Sequence, residues 1–316
     1  MRQFLFIILL PAFCFGQSLT IEANLLFKNK EFKKAENIIK HHVVSNPSDI
    51  EAIELLGDAY GHQKEWDKAL KEYKKLLEHD EYNANFHYKY GGVLGMKALQ
   101  NKIKALGLIG DIKKSFTRAA ELDHKHIDTR WALVEFYMQL PGIFGGSKKK
   151  SLHYAEELEV LSKVDGYLAK GYVHEYDNKP ELAEKYYKLA LEAGGSMTCY
   201  SKLSAFYENH QQPKKAVATI EKAYDVHKRN ALHYQIGKVC ADYNLELDKG
   251  ENCLMTFIKN HSVKDGIPIE WAYYRLAQIS KNRLNKDEAL LWIDKALSVR
   301  SNFKQAKREK ERILNM

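Results

Sequence analysis

A chain of 316 residues with 45% hydrophobic residues, six prolines and four cysteines is long enough to bury a sizeable core and too poor in cysteine to be a disulfide framework. Its 49 Lys and Arg against 41 Asp and Glu leave a formal charge of +8, a balance that suits nucleic acid or an anionic surface. Only the placement of that charge decides which partners are excluded.

The first segment, Met1 to Gly16, carries one basic residue, Arg2, then an apolar run from Phe4 to Phe15 broken by Pro11, and stops before the polar Gln17 and Ser18. This is the layout of a secretory signal peptide with cleavage after Gly16. A membrane anchor would need roughly 20 apolar residues, and this run is shorter. Lipidation at Cys14, as in a bacterial lipoprotein, is the other alternative, but Phe13 stands where a small residue is usual. The expected location is therefore outside the cytoplasm, periplasmic or held at a membrane as a lipoprotein.

Beyond the leader, small and large apolar residues recur at a fixed interval. Ala35 and Ala69 stand 34 residues apart, and Ala183 and Ala216 stand 33 apart. Each sits in similar company: Phe32-x-x-Ala35-x-x-x-Ile39, Ala183-x-x-x-Tyr187-x-x-Ala190, Ala216-x-x-x-Ile220-x-x-Ala223 and, later, Ala289-x-x-x-Ile293-x-x-Ala296. The fullest copy runs from Asp49 to Asn83, with Leu56-Gly57, Tyr60, Trp66, Ala69, Tyr73 and Leu76. Small residues at Gly57 and Ala69 let two antiparallel helices approach, and the tyrosines fill the space around them. Looser copies follow at Gly91 with Phe116-x-x-Ala119, at Leu133, Tyr137 and Leu158, and at Gly237 with Leu254.

This period and order resemble the tetratricopeptide repeat, a helix-turn-helix unit of about 34 residues. The resemblance covers nearly the whole chain after the leader, strongly in five units and weakly in three. It implies an all-α fold, a right-handed α-α superhelical solenoid of about eight hairpins over residues 17–302. Residues 303–316 would form a C-terminal capping helix, with Ala306, Ile313 and Leu314 on an otherwise charged segment.

Two insertions lengthen the third and fourth units, reading Leu106-Gly107-Leu108-Ile109-Gly110-Asp111 and Leu140-Pro141-Gly142-Ile143-Phe144-Gly145-Gly146. Both are expected as inter-helix loops on one edge of the stack. Their apolar tips, Leu108, Ile109, Ile143 and Phe144, would either pack on each other or form a docking patch for a partner or membrane. The second loop precedes Ser147-Lys148, but it lacks the Gly-Lys-Ser/Thr ending and the preceding strand of a phosphate loop. Ser147 is expected to cap the next helix.

Catalysis and metal binding find little support. Of 13 histidines, His41-His42 are vicinal and so point apart on a helix, and His124-x-His126 has no third ligand at helical spacing. No nucleophile elbow occurs. Without the leader three cysteines remain, Cys199, Cys240 and Cys253, and they are expected to pack as small apolar groups, although Cys240 and Cys253 share one unit and could meet. The reading is a protein that is not an enzyme and holds no cofactor and no metal.

Function then falls to a surface. In the family that the chain resembles, the first helix of each unit lines a concave groove at five positions. Carried onto this sequence, those positions hold the acids Glu51, Glu54, Asp58, Asp128, Glu135, Asp165, Glu175, Glu208 and Asp242. They also hold the aromatics Phe27, Tyr88, Trp131, Tyr172, Tyr176, Tyr234, Trp271 and Tyr274, but only three bases, Lys28, Lys238 and Lys281. Such a groove implies a protein or peptide partner with basic and apolar residues, and argues against nucleic acid. The chaperone-tail clamp of the family is not expected, because Leu55 replaces a required amide. The alternative is an envelope-associated assembly factor that docks through loops 106–111 and 140–147 and a basic convex face, with peripheral membrane contact.

Overall fold

Apolar residues recur three and four apart along the chain, the helical period, and the fold is helical throughout. The computed structural model describes residues 13–100 and 102–316, with side chains from 19–100 and 105–316. These form 17 helices and two short 3-10 turns, with no strand among the described residues. Residues 1–12 of the expected signal peptide lie outside the described residues, and the first helix begins at Phe13.

Two compact bodies are present. The first, up to Leu161, contains four hairpins. These are α1 (Phe13–Lys28) with α2 (Phe32–Ser45), α3 (Ile50–His62) with α4 (Trp66–His79), α5 (Ala84–Gln100) with α6 (Lys102–Leu122), and α7 (Ile127–Gln139) with α8 (Lys148–Leu161). The second, from Ser162, contains four more and a last helix. Its hairpins are α9 (Lys163–Tyr176) with α10 (Pro180–Gly194), α11 (Met197–Asn209) with α12 (Pro213–His227), α13 (Ala231–Asp242) with α14 (Leu247–Lys259), and α15 (Ile269–Asn282) with α16 (Lys286–Val299). The last helix is α17 (Lys304–Leu314). Within each body the second helix of a hairpin packs on its own first helix and on the first helix of the next hairpin, as α2 does on α3 and α10 on α11. Contacts between near neighbours only are the rule of repeat architectures.

The close approach inside a hairpin depends on the small positions. A Cβ added to Gly171 would lie 2.6 Å from Cδ1 and Cε1 of Tyr187, and the equivalent atoms at Gly57 and Gly237 would press into Tyr73 and Leu254. Gly171→Ala is therefore expected to destabilise by about 1–2 kcal/mol, because overpacking of about 1–3 kcal/mol exceeds the gain of up to about 1 kcal/mol in helix propensity. Gly107, inside α6, has open space where a Cβ would go. There the same change is expected to stabilise by about 0.5–1 kcal/mol. Urea midpoints of the two variants moving in the same direction would refute this account of the small positions.

The turn inside a hairpin also repeats. In six of the eight hairpins a non-glycine residue between the two helices has positive φ: Lys30, Lys64, Asn178, Gln211, Asn244 and Leu284. The backbone bonds around Lys64, from its own N–H to Gly61 O (2.9 Å) and from Glu65 N–H to Tyr60 O (2.9 Å), show how such a residue closes the helix end. In the lengthened α7–α8 hairpin the positive φ between the helices falls instead on a glycine, Gly145.

One of those departs from expectation. Residues 106–111 are not a loop; they lie inside α6. The insertion lengthens α5 to 17 residues and α6 to 21, whereas α3 and α4 have 13 and 14. Leu108, Ile112 and Phe116 stand four apart and pack on a cluster with Leu94, Leu133 and Tyr137, so helical spacing carries through the segment, and isolated glycines do not break it. The other insertion is a true loop, with a 3-10 turn at Gly142–Phe144.

Cys199 and Cys240 are buried, Cys253 is half-buried, and all three are free thiols. Burial, with the neighbouring Cys253 as a smaller cause, pushes the Cys240 thiol up to about 12, which leaves it an inert packing group.

Candidate functional site

The first helix of each hairpin carries the residues singled out for a partner. In the first body the structure ties two of the five acids to the next hairpin. Glu54 and Asp58 project from α3 toward Lys89 of α5, whose Nζ lies 2.6 Å from Glu54 Oε1 and 2.7 Å from Asp58 Oδ2. Asn85 donates to Glu54 at 2.8 Å, and the Tyr73 hydroxyl donates to Asp58 at 2.6 Å. Glu51 is exposed and accepts from Thr20 at 2.6 Å.

Farther along, two acids have no cationic partner among the described residues. Asp128 and Glu135 lie on one stripe of α7 together with Trp131, three and seven residues apart, and both acids are exposed. Tyr88, half-buried on α5, lies beside the start of α7: its ring lies 5.1 Å from that of His126, the N-cap of α7. Burial first, then the charges of Asp128 and Glu135, hold the Tyr88 phenol above its ordinary value. One aromatic from α5, one from α7 and two carboxylates thus share one face of the first body. That arrangement can hold an ammonium or guanidinium against rings while carboxylates orient it.

In the second body the groove positions are more fully engaged. Glu175 accepts from Tyr187 (2.7 Å) and Asn209 (3.1 Å), Glu208 pairs with Lys238 at 2.7 Å, and Asp242 pairs with Arg275. Tyr234 is buried and packs on Phe257 at 5.5 Å, so it is core and not a groove residue. Trp271 and Tyr274 are half-buried around Phe303. Tyr172 and Tyr176 lie 6.0 Å apart on α9, and Tyr176 is exposed. Small residues Ser201 and Ala205 on α11 open a cavity of about 270 Å³ bordered by Tyr200, Arg229 and Gln235, which the residue pattern alone does not reveal.

The acid–base pairs likewise escape a reading of the groove positions, although they leave a signal. Lys89 follows Asp58 by 31 residues, Lys238 follows Glu208 by 30 and Arg275 follows Asp242 by 33, each about one repeat. Among the expected docking residues, Leu108 and Ile109 are half-buried on α6, whereas Ile143 and Phe144 are exposed.

Comparison with known proteins agrees with this architecture. Residues 164–193, the α9–α10 hairpin, match the family model described as tetratricopeptide repeat. A solved tetratricopeptide repeat protein from Parabacteroides merdae ATCC 43184 is similar at 13% identity, over 94% of this chain and 98% of that chain, with a TM-score of 0.50. YrrB, described as a tetratricopeptide repeat protein with an unusual peptide-binding site, is similar at 19% identity over 62% of this chain and 97% of its own, with a TM-score of 0.43. A thermophilic tetratricopeptide repeat protein from Thermus thermophilus shares 16% identity over 71% of this chain and 97% of its own, with a TM-score of 0.40. A comparison with curated proteins finds no match.

Proposed function

We propose that this tetratricopeptide repeat protein is a non-catalytic scaffold, exported by its leader, that grips a partner segment carrying Lys or Arg beside apolar residues. The observation that carries the reading is the α5–α7 face, where Tyr88 and Trp131 stand with two exposed acids, Asp128 and Glu135, that have no cation of their own among the described residues. The acids on α3 are a poorer choice, because Lys89 already pairs with both Glu54 and Asp58. A partner would have to displace that lysine, whereas Asp128 and Glu135 are available at once.

A partner captured from cell-envelope extract by the chain from Gln17 onward tests this. Reversing both charges, Asp128→Lys with Glu135→Lys, is expected to weaken capture at least about tenfold, roughly 1.4 kcal/mol, and to reduce its sensitivity to salt. Asp58→Asn, which weakens the pair with Lys89 and the hydrogen bond from Tyr73 but touches neither Asp128 nor Glu135, is expected to leave capture within about twofold. Equal capture by the double reversal would sink the assignment of this face.

A further inference from the structure

Two local rules are broken side by side at the tip of the α7–α8 hairpin. Ile143 is 87% exposed and Phe144 40% exposed, a large apolar pair facing water. The loop that presents them is closed by its own backbone: Phe144 N–H donates to Pro141 O (2.9 Å), Gly145 N–H to Gly142 O (3.0 Å), Gly146 N–H to Pro141 O (3.2 Å) and Ser147 N–H to Tyr137 O (2.8 Å). Gly145 has φ +94°, and a Cβ on Gly146 would collide with the carbonyl of Leu140, so glycine is required at both places. The side chains are held outward by a built loop.

The second broken rule follows at once. α8 opens with Lys148-Lys149-Lys150 and has no acid in its first turn, although the positive end of a helix favours anions there. Lys150 lies over the Tyr137 ring, 5.2 Å from its centre, at the base of the loop. From Phe136 to Ala155 the sequence has no Asp or Glu. Of the acids farther along α8, Glu156 lies two turns on, and Glu157 is held by Arg130 at 2.9 Å.

We propose that this tip docks on an anionic membrane surface, with Ile143 and Phe144 entering the boundary between headgroups and acyl chains and Lys149 and Lys150 lying against lipid phosphates. A bilayer relieves both irregularities together. It accepts a small convex wedge without a matching pocket, whereas a protein interface needs a broad complementary patch of about 800 Å² on each partner. The apolar residues give depth and the lysines give selectivity for negative charge. This inference does not depend on the α5–α7 face.

Vesicle co-sedimentation tests it, with the full chain and the chain from Gln17 side by side so that the apolar run Phe4 to Phe15 is not mistaken for the loop. Vesicles of phosphatidylcholine containing phosphatidylglycerol are expected to bind the chain from Gln17 at least about tenfold more tightly than phosphatidylcholine alone. Ile143→Ser with Phe144→Ser changes no charge and is expected to weaken that binding about fivefold or more. Replacing Lys149 and Lys150 by Gln should weaken it and flatten its salt dependence. Circular dichroism checks that both variants keep their helices. Unchanged binding by the Ser pair would mean that net charge alone attracts the chain, and the proposal fails. It also fails if no vesicle binds, or if polyglutamate, used as a soluble acidic probe, binds through Ile143 and Phe144 while vesicles do not.

Discussion

Replacing Arg130 with methionine is expected to destabilise the first body by about 3–5 kcal/mol, the range for removing one partner of a buried charged pair. Arg130 is 2% exposed on α7. Its Nη1 donates to Asp123 O at 3.0 Å and to His126 O at 3.1 Å, and its Nη2 reaches Ala120 O at 3.5 Å. These carbonyls lie at the end of α6 and in the turn into α7; Asp123 O also accepts from His126 N–H at 3.2 Å, and the guanidinium adds charge-assisted bonds that complete the turn. Nε lies 2.9 Å from Glu157 Oε2 on α8, close enough for an ion pair but off the line of a hydrogen bond.

One guanidinium therefore closes α6, sits on α7 and holds α8. Methionine keeps the apolar stem but removes the charge-assisted donors from these carbonyls, while Glu157, whose side chain is 34% exposed, can take water instead. That relief places the expected loss toward the lower end of the range. Hydrogen exchange should accelerate at the end of α6 and the start of α7, and urea unfolding should shift to lower concentration. Arg130→Lys should recover only part of the loss, because an ammonium cannot reach three carbonyls and Glu157 in the same plane. A loss below about 1 kcal/mol, typical of an exposed pair, would overturn this view of Arg130.

Phe303→Ala is the second large effect, about 3–5 kcal/mol in the second body. Phe303 is fully buried just before α17, with its ring 4.6 Å from Trp271 and 5.5 Å from Tyr274. Ala306 and Ile313 continue the same buried stripe along α17. Glu309, 1% exposed, pairs with Lys281 of α15 and with Arg312 at 3.1 Å, which fixes the rotation of the helix. Loss of the ring removes the hydrophobic anchor at the point where α17 starts, and the remaining charged surface of that helix cannot replace it. Trp271 fluorescence should move to longer wavelength as water enters, with the urea midpoint falling in parallel. Leu314→Ala, at a side chain that is 51% exposed, is expected to change stability by no more than about 0.5 kcal/mol. Similar losses at the two positions would show that α17 adds bulk without the specific packing described.

Much of the fold is legible along the chain. Gly57 with Tyr73 and Gly171 with Tyr187 are small–large pairs within a single hairpin, and their recurrence announces the hairpins before any contact is seen. The buried stripe of α17 is equally plain, since Ala306 and Ile313 stand out in a run of charges. The segment 106–111 reads as a loop because glycines beside apolar residues look like a loop tip. The four-residue step from Leu108 to Ile112 to Phe116 is the better signal.

The candidate site is less legible. Glu54, Asp58, Glu208 and Asp242 look alike as groove acids with Asp128 and Glu135, yet the first four meet a lysine or arginine of the following hairpin, and the last two meet none among the described residues. Tyr234 holds a groove position by register and is nevertheless buried against Phe257. A helix and its buried stripe follow from residues three and four apart on the same stretch of chain, so the primary structure alone dictates them. Whether a carboxylate is neutralised or left for a partner depends on a side chain about one repeat away, and only the stacking of one hairpin on the next brings those two groups within reach.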